Sequence, residues 1–180
     1  MCFHEGVTVD SVDVEAQIGR PPRVGSEVVA RCHLGKPVVI KVPPLLDDGT
    51  PFPTTYWLTC PLARIRIGRL EAAGGVRRLE AKAENDSEFG AALEEAHQRY
   101  VSERDEMIPA EYEGPTPSGG VGGSPLGKHR VKCLHAHYAD TAAGNDNPVG
   151  QLVADWIEPL DCVITCVEDG IRNPEWSARP

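Results

Sequence analysis

Sixteen prolines punctuate the chain, and Pro61 constrains it most. A proline ring removes a backbone donor, which bars it from a helix interior but suits it to the first helical turn, where that donor lacks a partner anyway. A helix is therefore expected from Pro61, with Thr59 or Cys60 at its cap, ending at Gly74-Gly75. Ahead of it, Pro43-Pro44, the Asp47-Asp48-Gly49 turn, Pro51 and Pro53 leave room only for an extended connection over the surface, ending in Tyr56-Trp57-Leu58. At about 100° per residue, Leu62, Ile65, Arg66, Arg69, Leu70 and Ala73 share one face of the helix. Arginine keeps its charge, so Arg69 on a buried face requires a carboxylate such as Glu71 or Glu80, or else an anionic ligand. Arg66 can snorkel at the edge.

Upstream, residues 12–20 read as a short helix stopped by Pro21-Pro22. Residues 27–33 and 38–42 are β-prone runs around Leu34-Gly35-Lys36-Pro37, a hairpin signal. Downstream, Asn85-Asp86-Ser87 offers capping chemistry for a longer helix with Phe89, Leu93, Ala96, Tyr100 and Met107 at helical spacing and Glu95 paired to Arg99. The outer face of this helix, 86–107, is acidic: either solvated structure or a surface for a protein partner. Residues 113–125 are a turn-rich loop, 130–143 and 148–157 read as helices, and 173–180 as a frayed tail. The pattern predicts one α+β domain, a small antiparallel hairpin or sheet packed against four to five helices. Its parts are an N-terminal segment (1–25), a core (26–157) with a Gly/Pro-rich loop (113–127), and a C-terminal extension (158–180).

At 180 residues, 41% hydrophobic and 25% charged, the chain can bury a core and is too apolar for general disorder. A formal charge of −9 argues against non-specific binding to nucleic acid or anionic membranes. The first twenty residues lack the basic start and apolar core of a secretory signal, and no apolar run is long enough for a membrane span, so a cytoplasmic location is expected. Six cysteines, at 2, 32, 60, 133, 162 and 166, are too few for a disulfide scaffold and are read as reduced thiols. Cys162 and Cys166 form the closest pair, but no second pair of similar spacing accompanies them, so a zinc ribbon is not supported.

Three features could carry chemistry. Cys60 at a helix start is either a thiolate favoured by the helix dipole or a small hydrophobe packed under Trp57. In Cys133-Leu134-His135-Ala136-His137, a helix would put Cys133 and His137 on one face and turn His135 away, whereas a strand would align all three. The alanines at 136, 139, 142 and 143 favour the helix. The run Gly119–Gly123, followed by Lys128, His129, Arg130 and Lys132, could cradle a phosphate, or be a flexible loop with a solvated basic end. It lacks P-loop and dinucleotide spacing.

The strings FPTTYWLTCPLARIRIGRLEAAGGV (52–76), GGVGG (119–123) and VKCLHAHYADTAAGNDNPVG (131–150) resemble the bacterial family called domain of unknown function 501, over most of 26–157. Members are often encoded beside septum-formation and exopolyphosphatase genes. The resemblance therefore implies a cytosolic role near phosphate metabolism or division, and singles out Cys60, Arg69, Cys133, His135, His137 and Asn147. The leading expectation is an enzyme or binding protein for an anionic, phosphorylated small molecule. Cys60 would be nucleophile or ligand and His135 or His137 the acid/base, with Arg69, Lys132, Gly120, Gly122 and Asn147 holding the anion. The alternative is a non-catalytic adaptor with a structural zinc on Cys60, Cys133 and His137. A third reading pairs Cys60 and Cys133 as a redox disulfide.

Overall fold

A computed structural model describes residues 9–178; Cys2 and the last two residues lie outside them. The first helix, α1 (Val9–Ile18), stops at Gly19, whose φ of 79° turns the chain ahead of Pro21-Pro22. Strands β1 (Glu27–Arg31) and β2 (Pro37–Lys41) form the expected antiparallel hairpin. Tyr56–Leu58, expected only as the end of a connection, adds a third strand, β3, to the other edge of β2, with Val39 opposite Leu58 and Lys41 opposite Tyr56. β2 is thus central and is buried from Pro37 to Ile40. Its alternation sends Val39 into the main core and Ile40 into a smaller cluster with Val14 and Val42.

Helix α2 (Pro61–Ala72) begins at Pro61 with Cys60 as its N-cap. Its buried face is Leu62, Ala63 and Ile67, while Ile65 and Arg69 are exposed. The expected face is therefore rotated, because the Ala63–Ile67 step of four residues sets the inward stripe. Helix α3 (Gly75–Asn85) follows directly, and α4 (Ser87–Asp105) is capped by Asp86, whose carboxylate accepts from the Phe89 amide at 3.1 Å. In α4, Arg99 reaches Glu103 and the buried Asp140 rather than Glu95.

Helix α5 (Leu134–Ala142) is the centre of the fold, in contact with β2, β3, α2 and α6 (Pro148–Ile157). It starts four residues later than expected. Lys132 takes a φ of 58°, which breaks the helix and leaves 130–133 as an irregular lead-in. The helix–strand alternative for 131–143 is decided for helix over 134–142. α6 lies close to α5 because Gly150 has no side chain; a Cβ there would overlap the His137 carbonyl and Thr141 Oγ1.

The C-terminal stretch folds back on α1 through the two-residue strands β4 (Val167–Glu168) and β5 (Ile171–Arg172). The Gly170 amide donates to Asp13 Oδ1 at 2.9 Å, and the Asn173 amide to the Cys166 carbonyl at 3.1 Å. The expected fraying from Asn173 is corrected as far as Ala178: Trp176 is half-buried against the main core. The architecture is α+β, with six α-helices among the described residues. No described helix is long and apolar enough to cross a membrane.

Candidate functional site

The N-terminus of α5 opens into a cleft of about 400 Å³ lined by Tyr56, Trp57, Arg64, Gly122, Cys133 and His135 among others. Cys133 is the N-cap of α5 and is only half-buried. Glu71, in the last turn of α2, accepts the Leu134 amide on Oε1 at 2.7 Å, so a carboxylate satisfies one of the unpaired donors of the helix start. The same oxygen lies 3.3 Å from His135 Nδ1, and His135 Nε2 donates to the Arg64 carbonyl at 3.2 Å. Partial burial pulls the His135 pKa down, but Cys133, Glu71 and the Arg64 carbonyl together raise it above the ordinary histidine value. One ligand atom from each of Glu71, Cys133 and His135 lies within 4.8 Å of the others, the distance range in which three side chains can hold one ion.

His137, two residues on, belongs to a different environment. It is fully buried, with Nδ1 3.1 Å from Asn147 Oδ1 and Nε2 3.0 Å from the Val131 carbonyl. Both neighbours are acceptors, and a neutral ring offers a proton to only one of them. Complete burial, with the His97 ring beside it, pushes the pKa down to about 4. Asn147 also caps α6, accepting from the Gly150 amide at 3.0 Å, and donates to Asp140 Oδ2 at 2.9 Å. Arg99 completes the chain at the same carboxylate. Asn147, expected as a ligand-binding residue, thus spends its amide group inside the protein. His137 cannot reach a molecule in the cleft.

The glycine run is built around buried side chains rather than an open cradle. Arg104, 1% exposed, donates to the Gly119 carbonyl at 2.6 Å, and His97 Nδ1 accepts from the Val121 amide at 3.0 Å. The amides of Gly120, Gly123 and Ser124 are used within the turn itself. A Cβ on Gly120 would lie 2.5 Å from His97 Nδ1, so this glycine serves close approach rather than anion binding. Gly122 alone of the run lines the cleft. Lys132 is exposed and donates to the Gly123 carbonyl at 3.3 Å.

Cys60 is buried, and desolvation pushes its thiol up to about 11, against the opposing pull of the Leu62 and Ala63 amides at the start of α2. It keeps its proton at neutral pH, which corrects the expectation of a reactive thiolate there. It lines a small cavity to which Cys133 and His137 do not belong, so the expected Cys60–Cys133–His137 zinc set is distributed over three environments. Cys60 and Cys133 are both free thiols. Arg69 is exposed and needs no buried counterion; Arg66 instead donates to the Ile157 and Pro159 carbonyls and to Asp161. On α4, Glu94 accepts the Gly127 and His129 amides at 2.7 and 2.9 Å, and Glu103 pairs with Arg99, so part of the acidic face holds the protein's own loops.

A family model described as a protein of unknown function, DUF501, matches residues 28–155. The chain belongs to this family. Comparisons with curated proteins and with solved structures find no match. The DUF501 match includes Glu71, Cys133 and His135 and stops short of Cys162 and Cys166. Glu71 entered the sequence reading only as a possible partner for Arg69. Its contact with α5 follows from the start of α5 packing beside α2, which residue spacing does not encode. Arg64 was missed because it falls off the stripe drawn through Leu62 and Ile65.

Proposed function

We propose that this DUF501 protein is a small cytoplasmic enzyme that acts on an anionic, phosphorylated small molecule in the cleft at the start of α5. The observation that carries this reading is the convergence of Cys133, His135 and Glu71 at one solvent-reachable helix N-terminus. Cys133 replaces Cys60 as nucleophile, His135 is the acid and base, and Glu71 orients the imidazole. Arg64, which lines the cleft, supplies positive potential for the anion. In the reaction, Cys133 gives its thiol proton to His135 and its Sγ bonds to the electrophilic centre while the leaving oxygen departs with that proton from His135. Water then displaces the sulfur and returns a proton to His135.

Nucleoside phosphates, sugar phosphates and pyrophosphate, screened by thermal shift and by phosphate release, test the reading. Turnover should disappear in Cys133→Ser, ligand-induced shifts should weaken at least tenfold in Arg64→Ala, and both should persist in Arg69→Ala. Undiminished turnover in Cys133→Ser sinks the nucleophile. The 4.8 Å grouping also favours a second reading, in which Glu71, Cys133 and His135 hold a metal ion with one position open to the cleft. Turnover that depends on added zinc and fails in Glu71→Gln identifies that case.

A further inference from the structure

A second cleft, of about 530 Å³, opens beside the C-terminal half of α5. Its walls come from three stretches: Ala30 to His33 at the end of β1, Tyr138 and Ala142 on α5, and Glu158 to Asp161 after α6. Its size is that of small-molecule sites, roughly 300–1,000 Å³. The third stretch is fixed in place. Arg66 on α2 donates to the Ile157 and Pro159 carbonyls at 2.6 and 2.7 Å and pairs with Asp161 at 2.5 Å. Tyr138, 1% exposed, donates its hydroxyl to Glu158 Oε1 at 2.7 Å. Burial and the neighbouring carboxylate raise the Tyr138 pKa, so the hydroxyl keeps its proton and Glu158 keeps its donor.

The charges of these walls do not cancel. Arg31 is spent on Asp10, its two Nη atoms 2.9 and 2.7 Å from the carboxylate oxygens, and Asp161 is held by Arg66. Glu158 has no cation at ion-pair distance among the described residues; its partner is the neutral Tyr138 hydroxyl. His33 Nε2 lies 2.9 Å from the Cys162 carbonyl. A carbonyl only accepts, so Nε2 carries the proton and Nδ1 of the neutral ring is left as a second acceptor. Val38, Ala142 and Leu160 make other parts of the lining apolar.

We infer that this cleft binds a small primary amine, with its ammonium group on Glu158 and its apolar body against Val38, Ala142 and Leu160. An ammonium brings three donors and the one positive charge that the walls lack, whereas an anion would meet Glu158 with like charge. Tyr138 is a positioning residue: it holds the carboxylate in one place before the ligand arrives. The site does not rest on the function proposed at the start of α5, since neither Cys133 nor His135 lines it.

The test is an NMR titration of the isotope-labelled, full-length protein at neutral pH with isoamylamine and phenethylamine, and with the corresponding alcohols as uncharged counterparts. At least one amine should give saturable amide shifts at Ala30, Ala142 and Leu160, binding about tenfold or more tighter than its alcohol, as a hydrogen bond to a charged group implies. Glu158→Gln leaves Tyr138 an acceptor and removes only the charge; it should weaken the amine by about the same factor. Tyr138→Phe keeps the charge but frees the carboxylate, and should weaken the amine while leaving the alcohol unchanged. Cys133→Ser and Arg64→Ala should bind the amine as the unaltered chain does, which separates this site from the proposed active site. Absence of saturable shifts in the cleft with both amines overturns the inference. So do alcohols that bind as tightly as the amines, amine binding retained in Glu158→Gln, or shifts that map to Cys133 and His135 instead.

Discussion

The two sides of helix α5 carry histidines two residues apart, and their surroundings push them in opposite directions. His137 is sealed between Asn147 and Val131 and is driven toward the neutral form, while His135 sits at the cleft beside Glu71 and is driven toward the charged one. The inner side is a closed network from Arg99 through Asp140 and Asn147 to His137. The outer side is half-buried and leaves Cys133 within reach of solvent. Polar residues of the same kind therefore do different work: the inner set holds α4, α5 and α6 in register, and the outer set is available for chemistry.

The strongest challenge to this contrast is removal of an inner residue. Asp140→Ala takes the acceptor from Arg99, Asn145 and Asn147. It should lower unfolding stability by about 3–5 kcal/mol, as breaking a buried ion pair does. Urea denaturation measures this, and Cys133→Ala on the outer side should change stability by less than about 1 kcal/mol. Equal effects of the two substitutions would erase the distinction between the sides.

Acid supplies the next test. The folded pKa of His137, about 4, lies below its ordinary 6.5, so the stability from keeping it neutral is fully present above pH 6.5 and is lost as pH falls toward 4. The loss is of order 3 kcal/mol by about pH 4. Stability measured from pH 7 to 4 should fall along that limb, and His137→Gln should flatten it.

Thiol chemistry distinguishes the helix starts themselves. Cys60 and Cys133 are both N-caps without a side-chain cap hydrogen bond, yet only Cys133 is open to a reagent. Peptide mapping after brief iodoacetamide treatment at pH 8 should find Cys133 labelled at least tenfold faster than Cys60, because helix dipoles do not offset full desolvation. Faster labelling of Cys60 would return it to the role of nucleophile.

The smallest effect is expected from His135. Its folded pKa is raised, so its contribution is complete below about pH 6.5 and disappears as pH rises through the folded value. Glu71→Gln should reduce this alkaline decline, read as thermal stability between pH 6 and 9. An unchanged decline would detach Glu71 from His135.

Much of this fold was legible along the chain, where local chemistry is sufficient. Pro61 opens α2, Asp86 caps α4, Pro148 opens α6, and Gly35 turns the hairpin; each signal operates within a few residues of the structure it specifies. The site was only half legible. Cys133 and His135 stood out by residue type, but their partner Glu71 lies more than sixty residues upstream. The decision between helix and strand at 134–142, which separates His135 from His137, was open until packing against β3 and α6 closed it.

By itself the sequence determined where α2, α4 and α6 begin, that the class is α+β, and that the chain belongs with DUF501, because caps, turns and family strings are local. Only the tertiary structure decided which helix-capping cysteine is buried, which histidine is sealed and which carboxylate reaches α5. Burial and long-range contact are set by how elements pack, and desolvation then assigns each side chain its protonation and its reach.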